Sequence, residues 1–371
     1  MRTINVDFDE NNYNIYIDKG VISNINTLLK QHTKSKKIII VADSFFQDSI
    51  VHEVNSLLED FEVYIHLMEA GKANKNMNEV LKIYAILEEN DLARDSTLIA
   101  IGGGVIGDLA GFVASTWYRG MNLVHIPTTL MAMVDSAVGG KVAINFRQTI
   151  NAIGNYYHPI FTLMDLELIE SLPSREYHSG IAEVIKCAII NNADFYNILE
   201  QNSQSILAKK EQEVENFIAQ TILIKIAHVK GDIREGNRRL LLNYGHTLGH
   251  AIEVSTAKNY QEYYRHGEGV SLGIMAVAYI AQHHLKLSNS LYISYESLFK
   301  TYHLPTSISA SKLGIKKEEL LKKCLRNVLK DKKRINNHLR IILASKIGKA
   351  SVYTDVPMSL IEDAFSHIIK D

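Results

Sequence analysis

Apolar residues are distributed differently in the first and second halves of the chain. Up to about residue 172, short apolar runs alternate with amphipathic segments. The runs "KKIIIVADS" and "NLVHIPTT" are typical of buried parallel strands, and "EVLKIYAILEEN" has the period of a helix. "INVDF" and "YNIYI" predict a hairpin around "DENN". This alternation predicts an α/β domain with a parallel sheet covered by helices.

From about residue 173 the pattern is mainly helical. The segments "GIAEVIKCAIINNADFYNILEQN", "EVENFIAQTILIKIAHVKGDI" and "GVSLGIMAVAYIAQHHL" have 3.6-residue periodicity. "LRIILASKIGKASVY" is the one late strand candidate, and the lysine-rich tract 312–334 is spaced as a solvated helix. The length of 371 residues also suggests two domains. We therefore predict an α/β domain over 1–172 and a mainly α-helical domain over 173–371.

Composition excludes several classes of protein. The net charge of −1 does not indicate a nucleic-acid partner, and no apolar run reaches the roughly 18 residues that a bilayer requires. The polar N-terminal segment does not resemble a signal peptide. Two cysteines, Cys187 and Cys324, are too few for a disulfide framework. The sequence predicts a cytoplasmic protein with no nucleic-acid or membrane partner.

A glycine-rich turn is the first candidate for chemistry. "IGGGVIGD" places Gly102, Gly104 and Gly107 between a predicted strand and a predicted helix, which is the context of a dinucleotide-binding motif. Such folds usually carry an acidic residue at the end of the next strand, but here the acid at a strand end is Asp43, upstream. The motif is therefore either a structural turn or part of a variant dinucleotide site. Asp108 fits a favourable carboxylate at a helix start.

Histidines form the second candidate. His246 and His250 in "LLLNYGHTLGHAIEV" are four residues apart and therefore lie on one face of a helix. His266 in "YYRHGEGV" and Glu183 in "GIAEVIKCA" could complete an open divalent-metal site. Spacing does not decide whether His246 and His250 are metal ligands, acid/base groups or packed core residues.

Basic residues in apolar surroundings suggest an anionic substrate. Lys141, Lys186, Lys225 and Arg239 lie in largely apolar segments, and Lys186 follows Glu183 by one helical turn. A buried lysine is unfavourable unless it is paired or contacts an anion, although its ammonium can also extend to the surface. Together with a metal site, these residues favour a substrate that carries carboxylate or phosphate.

Seven motifs resemble, in their order along the chain, those of the 3-dehydroquinate synthases, within the sugar-phosphate cyclase superfamily. They are "IGGGVIGDLAGFVAS", "YRG", "HIPTT", "VDSAVGGK", "AEVIK", "LLNYGHTLGHAIE" and "HGEGV". The resemblance extends from about residue 40 to 350. It implies an NAD-binding N-terminal α/β domain and a helical C-terminal domain that binds metal and substrate. It also implies NAD and a divalent metal, Zn²⁺ or Co²⁺, as cofactors.

The implied reaction is the second step of the shikimate pathway, which leads to chorismate and the aromatic amino acids. A carbon–oxygen lyase converts 3-deoxy-D-arabino-heptulosonate 7-phosphate to 3-dehydroquinate and phosphate. The steps are transient oxidation by NAD⁺, β-elimination of phosphate, re-reduction and aldol cyclisation. Two alternatives remain at this point: another sugar-phosphate cyclase, and a metal-dependent NAD-linked polyol dehydrogenase, which would accumulate NADH. A non-enzymatic protein that binds nucleotide as a sensor would be expected to have lost a metal-ligating residue, but Glu183, His246 and His266 are all present.

The resemblance also implies roles for individual residues. The matching metal ligands are Glu183, His246 and His266, with His250 as acid/base or phosphate-facing partner. The positions matching the substrate site are Asp135, Lys141, Asn151, Lys186, Lys225, Arg239, Asn243 and Lys332. The positions matching the NAD site are Asp43, Gly71, Lys75, Gly104, Val105, Ile106, Gly107, Asp108, Thr128, Thr129, Lys141, Leu168, Ile169, Glu170 and Ser171. Arg119 matches an arginine that reaches the neighbouring subunit's site, which implies a homodimer.

Two positions depart from the family pattern. Lys72 stands where a glutamate near the adenosine ribose is usual, which opens the possibility of NADP. Ile150 stands where a cofactor-contacting lysine is expected. By contrast, Arg239, Asn243 and Lys332 are present, although cyclases whose substrates lack a carboxylate depart at these positions. The set favours a substrate with both a carboxylate and a phosphate.

Overall fold

The computed structural model describes residues 1–8, 11–69, 71–147, 149–258, 262–329 and 339–371, so Lys332 lies outside the described residues. The described chain forms two compact units. The first contains Met1–Pro173 and Val214–Arg234, and the second contains Ser174–Glu213 and Glu235–Asp371. Val214–Arg234 thus groups with the first unit although it follows residue 173. The domain boundaries drawn from the sequence stay a prediction.

The first unit is an α/β structure built on parallel strands. Its strands are β1 (Arg2–Phe8), β2 (Asn11–Asp18), β3 (Lys37–Asp43), β4 (Glu62–Met68), β5 (Thr97–Gly102), β6 (Asn122–Pro127), β7 (Lys141–Phe146), β8 (Thr149–Tyr156) and β9 (Phe161–Asp165). Its helices are α1 (Ile25–His32), α2 (His52–Leu57), α3 (Met77–Glu89), α4 (Gly104–Thr116) and α5 (Glu167–Glu170).

Within the described residues, seven strands form one sheet in the order β1-β2-β9-β6-β5-β3-β4. β1 pairs antiparallel with β2, and the other neighbours are parallel. β3 and β5 are apolar without interruption because they are buried on both faces. Ile39 and Leu98 of these strands pack with Leu109 and Val113 of α4 in one core. This packing fixes the glycine turn between β5 and α4.

His125 in β6 makes the stability of this unit depend on pH. Burial lowers the pKa of His125 from 6.5 to about 4. The unfolded chain therefore takes up a proton as the pH falls from 6.5 to 4, whereas the folded chain does not. We expect the free energy of unfolding to decrease by about 3 kcal/mol across this range.

A His125→Gln variant tests this expectation by chemical denaturation at several pH values. The variant should lose most of this slope, and a His52→Gln variant, which changes an exposed histidine, should keep it. An unchanged slope in His125→Gln would show that burial of this imidazole is not the cause.

The second unit is mainly helical. Its helices are α6 (Ser174–Asn191), α7 (Ala193–Gln201), α8 (Ser203–Leu207), α9 (Glu211–Val229), α10 (His246–Thr256), α11 (His266–His284), α12 (Ser290–Thr301), α13 (Lys317–Leu329) and α14 (Met358–Ile368). Its strands are β10 (Ile308–Ser309), β11 (Ile341–Lys346), β12 (Lys349–Tyr353) and β13 (Ile369–Lys370). Helix α9 starts in this unit, and from Val214 onward it belongs to the first.

The fold class predicted from the sequence is confirmed, with local corrections. The hairpin β1–β2 and the strands β3, β5 and β6 form as predicted, and the late strand candidate 339–353 forms two antiparallel strands, β11 and β12. The expectation of a single late strand candidate was wrong, because Ile308–Ser309 pairs with Ile369–Lys370. Strands of two residues are too short to show a periodic pattern. In the described part of the chain, no helix is long and apolar enough to cross a membrane.

Candidate active site

Three helices of the second unit carry the predicted metal ligands. Glu183 and Lys186 lie in the middle of α6, where residues 179–190 are buried. His246 is the first residue of α10, and His250 follows one turn later. His266 is the first residue of α11. The expected helical placement of His246 and His250 is confirmed, and their ring centroids are 5.4 Å apart.

Glycines allow these three helices to approach closely. A Cβ atom at Gly249 would lie 2.6 Å from the carbonyl oxygen of Gly269, and one at Gly273 would lie 2.1 Å from that of Gly245. A Cβ atom at Gly267 would lie 1.8 Å from the carbonyl oxygen of Ser179 in α6. Side chains at these positions would therefore push α10 and α6 away from α11. The glycines beside the histidines hold the helices at the distance that the site requires.

The carboxylate of Glu183 lies at the centre of the cluster. Its Oε1 atom is 3.3 Å from His246 Nε2 and 3.5 Å from His266 Nε2. Its Oε2 atom forms an ion pair with Lys186 Nζ. His250 lies beside this group, and ligand atoms of His246, His250 and His266 all lie within 4.8 Å of one another. The structure thus brings together the four residues that the sequence singled out.

Burial and charge act in opposite directions on this cluster. Burial would raise the pKa of Glu183, but Lys186 and His246 hold that pKa well below its ordinary value of 4.5. Burial lowers the pKa of His246 despite the nearby Glu183 carboxylate. For His266, burial is outweighed by Glu253 and Glu183, which raise its pKa to about 10. In this arrangement the Glu183 carboxylate is ionised, and it lies beside the ammonium of Lys186 and the imidazoles of His246 and His266.

These residues fit a divalent cation. Glu183 is 1% exposed, and although Lys186 pairs with Oε2, neither carboxylate oxygen accepts a hydrogen bond. A buried carboxylate normally has such partners, and a coordinated ion would satisfy it. One carboxylate oxygen and two or three imidazole nitrogens are a donor set of zinc sites that leave a position open. His250 is exposed, whereas Glu183 and His246 are buried, so His250 has the readiest access to solvent.

Basic and polar residues lie on elements of the same unit. Lys186 is 1% exposed and Arg239 is 2% exposed, so both cations are buried rather than extended to the surface. Asn243 donates from Nδ2 to Glu235 Oε1 at 2.6 Å. Asn243 also lines, with Arg340 and Thr247, a small open pocket. The lining of this pocket therefore includes one cationic residue and two polar residues.

In the first unit, β3, β5 and β6 end at the same edge of the sheet, at Asp43, Gly102 and Pro127. Parallel strands place ligand sites at their carboxyl ends. A Cβ atom at Gly102 would lie 2.5 Å from Ile106 Cγ1, and one at Gly104 would lie 2.9 Å from Ser136 Oγ. Gly102 is therefore required by packing, whether or not a dinucleotide binds. Helix α4 begins with no side-chain cap at its N-terminus, which suits an anion there.

A buried ion pair lies next to this turn. Lys75 Nζ lies 2.5 Å from Asp108 Oδ2 and 2.5 Å from Asn151 Oδ1. Burial raises the pKa of Asp108, and Lys75 opposes that rise. Lys225 is 6% exposed and pairs with Asp135 Oδ1 at 2.5 Å. Four of the predicted charged residues thus form two ion pairs, which accounts for the burial of both lysines.

Other predicted residues have mainly structural contacts. Asp43 accepts a hydrogen bond from the Phe45 amide at 3.0 Å, and Glu170 pairs with Lys19 at 2.9 Å. The side chains of Leu168 and Ile169 are buried in the core. The remaining members of the predicted cofactor set lie after β4 (Gly71), in the first turn of α4 (Val105, Ile106 and Gly107), after β6 (Thr128 and Thr129) and after α5 (Ser171). Their role in cofactor binding stays a prediction.

The sequence left open whether Lys141 is buried or extends to the surface. Lys141 is exposed, because it is the first residue of β7 and the alternation of that strand directs the side chain outward. Sequence reasoning also missed Glu253, whose Oε1 atom lies 3.0 Å from His266 Nδ1. Its spacing held a signal, since it follows His250 by three residues and His246 by seven and thus shares their face of α10.

Family models match both parts of the chain. The model described as 3-dehydroquinate synthase N-terminal matches residues 65–179, and the one described as 3-dehydroquinate synthase C-terminal matches residues 180–334. The chain belongs to the 3-dehydroquinate synthase family. The 3-dehydroquinate synthase of Picosynechococcus sp. is 36% identical over 98% of each chain. That of Thermodesulfovibrio yellowstonii is 37% identical over 96% of this chain and 97% of the relative.

A solved structure agrees with this membership. It is a 2-deoxy-scyllo-inosose synthase complexed with carbaglucose-6-phosphate, NAD⁺ and Co²⁺. It has a TM-score of 0.88 and 25% sequence identity, and the match covers 99% of this chain and 100% of that chain. The fold described above is therefore shared along nearly the whole chain by an enzyme that binds a sugar-phosphate analogue, a dinucleotide and a divalent metal.

Proposed function

We propose that this protein is a carbon–oxygen lyase that converts 3-deoxy-D-arabino-heptulosonate 7-phosphate to 3-dehydroquinate and phosphate. The observation that carries the proposal is the buried Glu183 carboxylate between His246 and His266, in a family member of nearly full length. NAD and a divalent metal, Zn²⁺ or Co²⁺, serve as cofactors. The related cyclase that was solved with NAD⁺ and Co²⁺ supports this choice.

The cofactors, when bound, supply hydride acceptance and return and a Lewis acid for the sugar hydroxyls. The chain supplies the position and the proton transfers. Glu183, His246 and His266 hold the metal, and Lys186 keeps Glu183 ionised. The glycine turn and the start of α4 hold the dinucleotide, with Lys75 and Asp108 fixed against each other. His250, which is exposed beside the other imidazoles, exchanges protons near the leaving phosphate.

The presence of Arg239, Asn243 and Lys332 favours a substrate with a carboxylate. A guanidinium that is 2% exposed forms a rigid two-pronged donor suited to that group. A panel of phosphorylated substrates tests this assignment. We expect turnover of 3-deoxy-D-arabino-heptulosonate 7-phosphate and none of glucose 6-phosphate, which lacks the carboxylate. Efficient turnover of glucose 6-phosphate alone would instead assign another cyclase activity to the protein.

The same panel should be run with NAD⁺ and with NADP⁺. Lys72, at the position usually occupied by a glutamate, would pair with the 2′-phosphate of NADP⁺ if it faced the ribose. We expect NAD⁺ to support turnover. Activity with NADP⁺ alone would assign the cofactor preference to Lys72, and a Lys72→Glu variant should then shift that preference toward NAD⁺.

We also propose a homodimer. Tyr118 and Arg119 adopt positive φ angles of 46° and 64°, and both side chains are exposed. This turn therefore presents Arg119 outward, which suits a residue that completes the site of the partner subunit. Mixing Arg119→Ala and Glu183→Ala proteins, each inactive alone, should restore part of the activity, because mixed dimers contain one intact site. Absence of recovery in proteins shown to exchange subunits would contradict this role.

We place the enzyme in the cytoplasm. The two cysteines are too few for a disulfide framework and suit a reducing compartment. The proposed substrate and the dinucleotide are both small soluble molecules of that compartment. Fractionation of cells that express the protein would test the location, and enrichment in a membrane or extracellular fraction would contradict it.

A further inference from the structure

We propose that Glu253 is a positioning residue, which orients His266 and fixes the tautomer that presents Nε2 to the metal. This inference rests on the proposed metal site and extends it by one residue. It assigns to Glu253 a role in metal affinity rather than in contact with the substrate.

The two nitrogens of the His266 ring have different carboxylate neighbours. Nδ1 lies 3.0 Å from Glu253 Oε1, which is hydrogen-bond distance. Nε2 lies 3.5 Å from Glu183 Oε1, on the side of the ring where His246 lies. A carboxylate cannot donate, so the proton of this hydrogen bond is on Nδ1. With the metal bound, Nε2 is left with a lone pair directed at the ion.

The position of Glu253 is built into two helices. It lies on the same face of α10 as His246 and His250, and its side chain is 10% exposed. Opposite it on α11 is Gly269. A Cβ atom at that position would lie 2.6 Å from both Cγ and Oε1 of Glu253. The glycine therefore leaves the space that the carboxylate occupies, and a side chain there would displace the carboxylate from His266.

Carboxylates that accept a hydrogen bond from a metal-bound histidine hold the ring in place and raise its basicity. Loss of such a partner typically weakens metal binding about 10–100-fold. A purely structural role, linking α10 to α11, would instead change stability and leave the affinity for metal unchanged. Metal affinity, measured on folded protein, thus separates the two roles.

The test compares Glu253→Ala, Glu253→Gln and Gly269→Ala with Glu268→Gln as matched control. Glu268 is a carboxylate two residues after His266, and it receives hydrogen bonds from Arg175 Nε and Nη2 at 2.7 Å each and from the Arg265 amide at 2.8 Å. Its contacts are thus directed at arginine and backbone rather than at the His266 ring. Folding of each variant is checked by circular dichroism before titration.

Affinity for Zn²⁺ and Co²⁺ is measured by competition with a chromophoric chelator, and the visible spectrum of bound Co²⁺ reports the ligand geometry. We expect Glu253→Ala and Gly269→Ala to bind metal roughly 10–100-fold more weakly and to change the Co²⁺ spectrum. Glu253→Gln, whose amide oxygen still accepts from Nδ1, should retain part of the affinity. Glu268→Gln should match the wild-type protein.

Wild-type affinity and an unchanged Co²⁺ spectrum in Glu253→Ala would overturn the inference and leave the proposed function intact. Failure of the wild-type protein to bind either metal would overturn both. Weakened binding in the Glu253 variants, combined with no turnover of the proposed substrate by wild-type protein, would retain the inference and reject the proposed function.

Discussion

Replacing Lys75 by methionine is expected to lower the free energy of unfolding by roughly 3–5 kcal/mol at neutral pH and to weaken dinucleotide binding. The side chain of Lys75 is 6% exposed and that of its partner Asp108 is 17% exposed. Without the ammonium, Asp108 loses its ion pair, and Asn151 loses the donor that contacts its Oδ1 atom. A buried carboxylate without a cation is unfavourable because removal from water is no longer compensated.

The pH dependence of the stability loss shows whether the unpaired Asp108 carboxylate causes it. Burial already raises the pKa of Asp108 above 3.8, so the folded state favours the protonated acid. The stability that protonation gives is present at low pH and is lost as the pH rises through the raised pKa. The deficit of Lys75→Met should therefore shrink as the pH is lowered toward 4. Chemical denaturation of Lys75→Met and of the neighbouring Lys72→Met provides the comparison. We expect the free energy of unfolding of Lys72→Met to stay within about 0.5 kcal/mol of the wild-type value. Equal losses of stability in both variants would contradict the buried-pair explanation.

Replacing Glu183 by alanine is expected to abolish metal-dependent activity and to destabilise the apo protein by roughly 3–5 kcal/mol. Two effects combine. The metal loses the oxygen ligand between His246 and His266, and the ammonium of Lys186, which is 1% exposed, loses its ion pair. The loss of metal affinity should exceed the roughly 10–100-fold typical of an outer partner, because Glu183 is itself a ligand in the proposed site.

Thermal unfolding with and without Zn²⁺ measures both effects. The free energy of unfolding of the wild-type protein should rise by about 2.7 kcal/mol when the free Zn²⁺ concentration is 100 times the dissociation constant of the zinc complex. Glu183→Ala should show no gain at the same concentration. The control is Glu200→Ala, which changes an exposed carboxylate in α7 and should behave as wild type. Zinc-dependent stabilisation of Glu183→Ala equal to that of wild type would exclude Glu183 as a ligand.

Periodicity was sufficient to predict the main elements of the fold. Continuous apolar runs marked β3 and β5 because both faces of these strands are buried. The helical second unit followed from its 3.6-residue pattern. The hairpin of β7 and β8 was not predicted, because β8 is largely exposed and its sequence, "TINAIGNY", has no apolar alternation. Likewise, grouping of Val214–Arg234 with the first unit depends on long-range packing that a linear pattern does not contain.

The candidate site was less visible in the sequence than the fold. Spacing placed His246 and His250 on one helical face. It could not show that Glu183 and His266 lie beside them, because Glu183 precedes His246 by 63 residues and His266 follows His250 by 16. The approach of α6, α10 and α11 depends on Gly245, Gly249, Gly267, Gly269 and Gly273, whose contacts appear in three dimensions. The resemblance to a known family connected the residues, and the structure then showed the role of Glu253.

The most direct measurement follows phosphate release and NADH absorbance together, with 3-deoxy-D-arabino-heptulosonate 7-phosphate, Zn²⁺ and NAD⁺. Dehydroquinate is read as ultraviolet absorbance after a dehydratase. We expect phosphate and dehydroquinate in equal amounts with no accumulation of NADH, because the hydride taken from the substrate is returned within each turnover. Accumulation of NADH without phosphate release would identify a dehydrogenase and contradict the proposed lyase activity.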